Sequence, residues 1–154
     1  MKARTLKFIL PILAIMALLM VLPIFKDMDE SPEINEPSPF VGRFGSDGYE
    51  KRQEGYDWVL FNIQEKTDGR FDIKVRSRTD IKKPTCTYEG IGQLKTPDIL
   101  VAPLEDGKVN MTLTLKGNTI DVWMDSENFD DRFLLMRYCS GGGSLAGKYY
   151  EVVI

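Results

Sequence analysis

From residue 40 to residue 154 apolar and polar positions alternate, the period expected of strands whose successive side chains face opposite sides of a sheet. Residues 40–44 read as a short first strand, closed by the turn residues at 45–48. Residues 58–64 place Val59, Phe61 and Ile63 on one face, and 70–76 place Phe71, Ile73 and Val75 on one face. Asp68-Gly69 between them is a hairpin signal. Residues 85–94 put Cys86, Tyr88, Gly90, Gly92 and Leu94 on a common face, where two glycines point to a bend or bulge. Strands at 98–102, 109–116 and 119–124 follow, the last two joined by Gly117-Asn118. An acidic loop at 125–131 separates them from 132–139, apolar enough for a buried strand, and 145–154 forms the last strand.

This pattern predicts an all-β fold of eight or nine short strands with sequential connections. Consecutive hairpins favour an antiparallel up-and-down β-barrel, because closing the sheet removes its exposed edges; a flattened barrel or a β-sandwich is the alternative.

The alternation is absent before residue 40. Residues 8–25 are eighteen consecutive uncharged, mostly aliphatic positions; at about 1.5 Å per helical residue they cover roughly 27 Å, near the thickness of a hydrocarbon core. No small-residue cleavage pattern follows, and the stretch runs directly into Lys26-Asp27, which favours an uncleaved signal anchor over a removed leader. Lys2, Arg4 and Lys7 precede it, whereas Asp27, Asp29, Glu30, Glu33 and Glu36 follow. Residues 1–7 are therefore expected in the cytoplasm and the body outside it. Residues 26–39 are acidic and contain three prolines, an extended linker of about 40 Å reach. Residues 40–154 are one domain's worth of chain. The expected organisation is a single-pass membrane protein with an extracytoplasmic β domain, facing the periplasm from a bacterial inner membrane.

Charge and chemistry narrow the function. The body carries 16 Lys and Arg against 18 Asp and Glu, which lacks the broad basic footprint of a nucleic-acid binder. There is no histidine, so Ser-His-Asp and Cys-His catalysis and histidine-containing zinc sites are excluded. Asp121, Asp125, Glu127, Asp130 and Asp131 do not follow the spacing of a calcium loop, and read as a solvated acidic stretch. Arg70, Lys74, Arg76, Arg78, Lys82 and Lys83 read as an outer polar face. No cofactor and no metal is expected. The two cysteines, Cys86 and Cys139, are expected to form a disulfide in an oxidising compartment; closing a loop of about fifty residues contributes roughly 4 kcal/mol.

The candidate partner-binding surface is Ser140, Gly141, Gly142, Gly143 and Ser144 with Tyr149 and Tyr150. Five small residues follow a cysteine that fixes one end, so a partner can approach the backbone closely, and tyrosine is enriched at interfaces. Gly147-Lys148-Tyr149-Tyr150 is similar to the Gly-x-x-Tyr element of some periplasmic lysozyme inhibitors, which insert a small-residue loop beside it; the likeness covers about ten residues. The expected function is a non-enzymatic, membrane-anchored β-barrel that binds a protein or envelope component. The alternatives are an inhibitor or immunity-type protein that blocks a secreted cell-wall hydrolase, and a carrier of a small apolar ligand.

If residues 8–25 remain as an anchor, mass measurement of the protein from a bacterial membrane fraction should return the intact chain. A soluble product beginning between residues 26 and 40 would show that the segment is removed.

Overall fold

The computed structural model describes residues 36–79 and 85–153. The expected anchor at 8–25 and most of the linker lie outside the described residues. Among those described, no helix is long and apolar enough to cross a membrane.

Eight strands form a closed antiparallel barrel in sequence order: β1 (Gly42–Gly45), β2 (Val59–Glu65), β3 (Phe71–Ser77), β4 (Tyr88–Thr96), β5 (Ile99–Pro103), β6 (Asn110–Lys116), β7 (Thr119–Met124) and β8 (Gly147–Glu151). Each pairs with its neighbour in the chain, and β8 returns to β1. The up-and-down barrel read from the alternation is thus the architecture found. Inward positions fill the interior: Phe61, Ile63, Phe71, Ile73, Leu100, Met111, Leu113 and Ile120 are each at most 1% exposed.

Alternate strand direction gives the barrel two unlike ends. Pro37 and the residues after it enter at the near end, beside the end of β8, and the near-end connections are the short turns at 66–70, 97–98 and 117–118. The far end carries the longer connections at 46–58, 78–87, 104–109 and 125–146. Phe40, fully buried, packs edge-on against Phe71 with ring centroids 6.4 Å apart. Leu135 and Leu145, also fully buried, come from the longest far-end connection, and the Leu145 amide donates to the Leu135 carbonyl at 3.2 Å.

Three details differ from the sequence reading. Residues 132–139 are not a strand: Phe129–Tyr138 is a run of 3₁₀ turns capped by Asn128, whose side chain accepts the Asp130 amide at 3.2 Å. Its stretch Phe133-Leu134-Leu135-Met136 lacks two-residue alternation, and only Leu135 is fully buried. The last strand, expected over 145–154, is found at Gly147–Glu151 and pairs directly with β7. The glycines of β4 serve close packing inside the barrel. A Cβ on Gly92 would stand 2.8 Å from Ile73 Cδ1 and 3.1 Å from Leu100 Cδ1, and one on Gly90 would collide with the Tyr88 hydroxyl. The register shift comes later, between Leu94 and Thr96, and Leu94 beside it is exposed instead of facing the core.

Tyr88 is the polar group to watch in this core. Its hydroxyl donates to the Pro103 carbonyl at 2.9 Å, and its ring meets Tyr138 edge-on at 5.3 Å. Burial, with a smaller contribution from Tyr138, pushes its pKa up to about 12. A phenol whose folded pKa exceeds its unfolded value stabilises the fold fully below the unfolded pKa, and that contribution is lost as pH rises through the folded one. The urea midpoint should therefore fall between about pH 10 and about pH 12, and Tyr88→Phe should flatten that decline. An unchanged alkaline slope in Tyr88→Phe would show that Tyr88 is not its source.

Candidate functional site

The far end is built around one covalent link. Cys86, just before β4, and Cys139, just after the 3₁₀ run, face each other as an isolated antiparallel pair, and their Sγ atoms are bonded at 2.04 Å. Backbone hydrogen bonds flank them on both sides: Thr87 N–H to the Tyr138 carbonyl at 2.9 Å and Ser140 N–H to the Thr85 carbonyl at 2.8 Å. The Ser140 hydroxyl also accepts the Thr85 amide at 3.1 Å and lies 2.7 Å from the Thr85 hydroxyl. The disulfide sits in a small ladder of its own outside the barrel sheet, and it ties the β7–β8 connection to the start of β4.

The five small residues begin inside this ladder. Gly143 N–H donates to the Ser140 carbonyl at 3.4 Å, and Gly141 and Gly142 at the turn centre have φ of 66° and 82°, the left-handed region that glycine occupies without a Cβ penalty. The Ser144 hydroxyl accepts the Ala146 amide at 3.1 Å. The segment is a closed turn, hydrogen-bonded at both ends, with its serine hydroxyls engaged. Gly142 projects outward, since a Cβ there meets nothing within 4 Å.

The two tyrosines separate from that turn and from each other. Tyr149 is a core residue, 3% exposed, stacked edge-on to Phe61 at 4.6 Å with its hydroxyl donating to the Leu145 carbonyl at 2.8 Å. Burial raises its pKa. Tyr150 is exposed and paired with Gly45 and Thr119. It lines a cleft with Gly45, Ser46, Asp47, Tyr49 and Glu50, whereas Gly143 and Ser144 line another with Asp57 and Trp58.

The charged stretches resolve largely into local pairs. Arg70 meets Asp68 at 2.6 Å, Lys74 meets Asp72 at 3.1 Å, and Arg78 meets Asp57 at 3.4 Å; Lys82 and Lys83 lie outside the described residues. Lys116, hydrogen-bonded at 2.6 Å, holds the Asp121 carboxyl below its usual range with help from Lys148. Asp125 pairs with Lys95 at 3.0 Å, and Asp131 accepts from the Ser126 hydroxyl. Among the described residues no three Cys, Asp or Glu side chains gather as a metal site.

Sequence reasoning missed one far-end feature. Trp123, Phe129 and Phe133 are all strongly exposed, and the Arg132 guanidinium lies 3.1 Å from the centre of the Phe129 ring and 4.6 Å from that of Phe133. The readable signal was Trp123, which occupies an outward position of β7 between the buried Val122 and Met124. Comparison with protein-family models, with curated proteins and with solved structures gives no match for this chain.

Replacing both cysteines by serine should lower stability by roughly 2–5 kcal/mol, measured as urea unfolding of the oxidised protein against the double variant. A loss below about 1 kcal/mol, the range of ordinary surface changes, would show that the flanking hydrogen bonds hold the ladder without the covalent link.

Proposed function

We propose that this chain is a non-enzymatic, membrane-anchored extracytoplasmic barrel that binds a protein or envelope component with its far end. The observation that carries this reading is the polarity of the barrel. The chain enters at the near end among short turns, while the disulfide, the glycine turn and the long connections gather at the opposite end. β2 and β3 are seven residues each, so about 20 Å separates the two ends at roughly 3.3 Å per residue. Residues 8–25 supply the anchor in this reading, with the N-terminus cytoplasmic and the barrel in the periplasm of a bacterial cell.

The inhibitor reading would use the same end, with the Ser140–Ser144 turn as a plug. It has less support, because that turn is short and its serine hydroxyls are already bonded to the barrel's own backbone or to Thr85. The carrier of a small apolar ligand has least, since side chains fill the barrel interior and the clefts around Tyr150, Ser144 and Trp123 lie on its outer surface.

Gly142→Asn tests the turn with little disturbance: asparagine tolerates the left-handed region, and the added side chain points into open space. Stability should stay within about 1 kcal/mol of the parent. Recovery of a partner from envelope extract by the full chain should drop about tenfold or more, the effect of a contact worth 1.4 kcal/mol. Undiminished recovery by both Gly142→Asn and Tyr150→Ala would remove this turn and this tyrosine from the binding surface.

A further inference from the structure

We infer that Trp123, Phe129, Arg132 and Phe133 form a docking surface for a basic polypeptide segment, one that presents lysine or arginine beside apolar side chains. This deepens the binding reading above, yet it stands on a surface separate from the 140–144 turn and does not need the anchor.

The surface is contiguous. Trp123 from β7 and Phe129 from the start of the 3₁₀ run line one cleft of about 240 Å³ together with Met124, Ser126, Glu127 and Arg132. Arg132 then links Phe129 to Phe133 by stacking on both rings. Trp123 is 55% exposed and Phe129 66%, although three outward aromatic residues do nothing for the barrel core. Contiguous exposed apolar surface rimmed by polar groups marks an interaction site more often than scattered single residues do. Tryptophan and arginine are also the side chains most often found at the energetic centre of interfaces.

The charge around the cleft selects the occupant. Between Asp121 and Arg132 there are five carboxylates and one guanidinium. Asp121, Asp125 and Asp131 have partners in Lys116, Lys95 and Ser126, whereas Glu127 and Asp130 meet no cation among the described residues. The Arg132 guanidinium lies over the two phenylalanine rings and keeps its charge, so the local balance is two carboxylates against one cation. A basic segment arriving here finds two carboxylates that meet no cation among the described residues and the exposed Trp123 ring, over which no cation lies among those residues, which suits ammonium and guanidinium groups through both ion pairing and cation–π contact. An anionic lipid surface or an acidic glycan would meet those carboxylates as like charges. Preorganisation adds to the case, because the Asn128 cap and the Arg132 stack hold the Phe129 and Phe133 rings in place before any partner arrives.

The test uses the full chain in nanodiscs of neutral lipid and a fluorescently labelled, amidated peptide of repeating Lys-Pro-Leu-Arg, followed by anisotropy. Saturable binding is expected that weakens as salt rises, with none for the counterpart peptide carrying glutamate in place of the basic residues. Trp123→Ala and Phe129→Ser should each weaken binding about tenfold or more while leaving the urea midpoint in place, because both side chains are exposed. Glu127→Gln combined with Asp130→Asn should weaken binding and reduce its salt dependence. Gly142→Asn should leave the titration unchanged, so that failure of the turn and failure of this surface are told apart. Absence of saturable binding, or equal binding by parent, Trp123→Ala and Phe129→Ser, would overturn the inference. So would loss of binding in Gly142→Asn, or Trp123-dependent binding of phosphatidylglycerol vesicles or a neutral oligosaccharide in place of the peptide.

Discussion

The barrel depends on the seam between β8 and β1. β2 and β3 share seven registered pairs, but the closing contact has two, Phe44 with Glu151 and Gly45 with Tyr150, extended by the Val152 amide to the Arg43 carbonyl. Without that closure β1 and β8 would be edge strands, each with a row of unpaired backbone groups open to another chain. The seam also carries a packing condition. A Cβ on Gly45 would stand 2.7 Å from Tyr49 Cβ, so glycine at this position lets the β1–β2 connection fold back beside the seam. Phe44 points inward from the same strand and is 2% exposed. One short strand thus closes the sheet, fills the core and releases the chain into the far-end loop.

The far end compensates for a barrel mouth that strands alone leave open. Its longest connection crosses as 3₁₀ turns that drop Leu135 into the interior, then returns with Leu145. Such a crossing has little hydrogen bonding of the kind a longer α-helix would supply. The Cys86–Cys139 link and the Thr85–Ser140 bonds fix it to the start of β4. The same crossing that plugs the core therefore presents Phe129 and Phe133 on its outer side. Core packing and surface display are set by one segment, and a change in its seating would alter both.

Strand positions were legible because alternation is a local property. Phe61 and Ile63 in β2 and Met111 and Leu113 in β6 face inward as their spacing indicated. The 3₁₀ run was not legible. Phe133-Leu134-Leu135-Met136 has apolar residues in succession, which fits a buried strand equally well, and only the competition for a place beside β7 decides against it. The pairing of Cys86 with Cys139 could be read from their number alone, but the ladder around them needs Thr85 and Ser140 brought together across 55 positions of sequence. Tyr149 and Tyr150 are adjacent in sequence and were read together as candidate contacts. Strand geometry sends them to opposite faces, so one stacks on Phe61 and the other reaches solvent.

Consistency between local pattern and global fold is what makes a sequence specify one structure, and departures from it concentrate where something other than stability is being served. In β7 the outward positions are Thr119, Asp121 and Trp123, and the first two are of the kind water prefers. Trp123 breaks that series without filling any gap in the core, and Phe129 breaks the acidic run six residues later. Glu127 compounds the departure, because among the described residues its carboxylate meets no cation beside the exposed rings. The glycine turn, by contrast, obeys local rules throughout: its φ values suit glycine and its polar groups are bonded. On physical grounds the aromatic and acidic cluster is the part of the far end that the barrel's own stability does not explain, which is why it is proposed as a docking surface in its own right, beside the glycine turn.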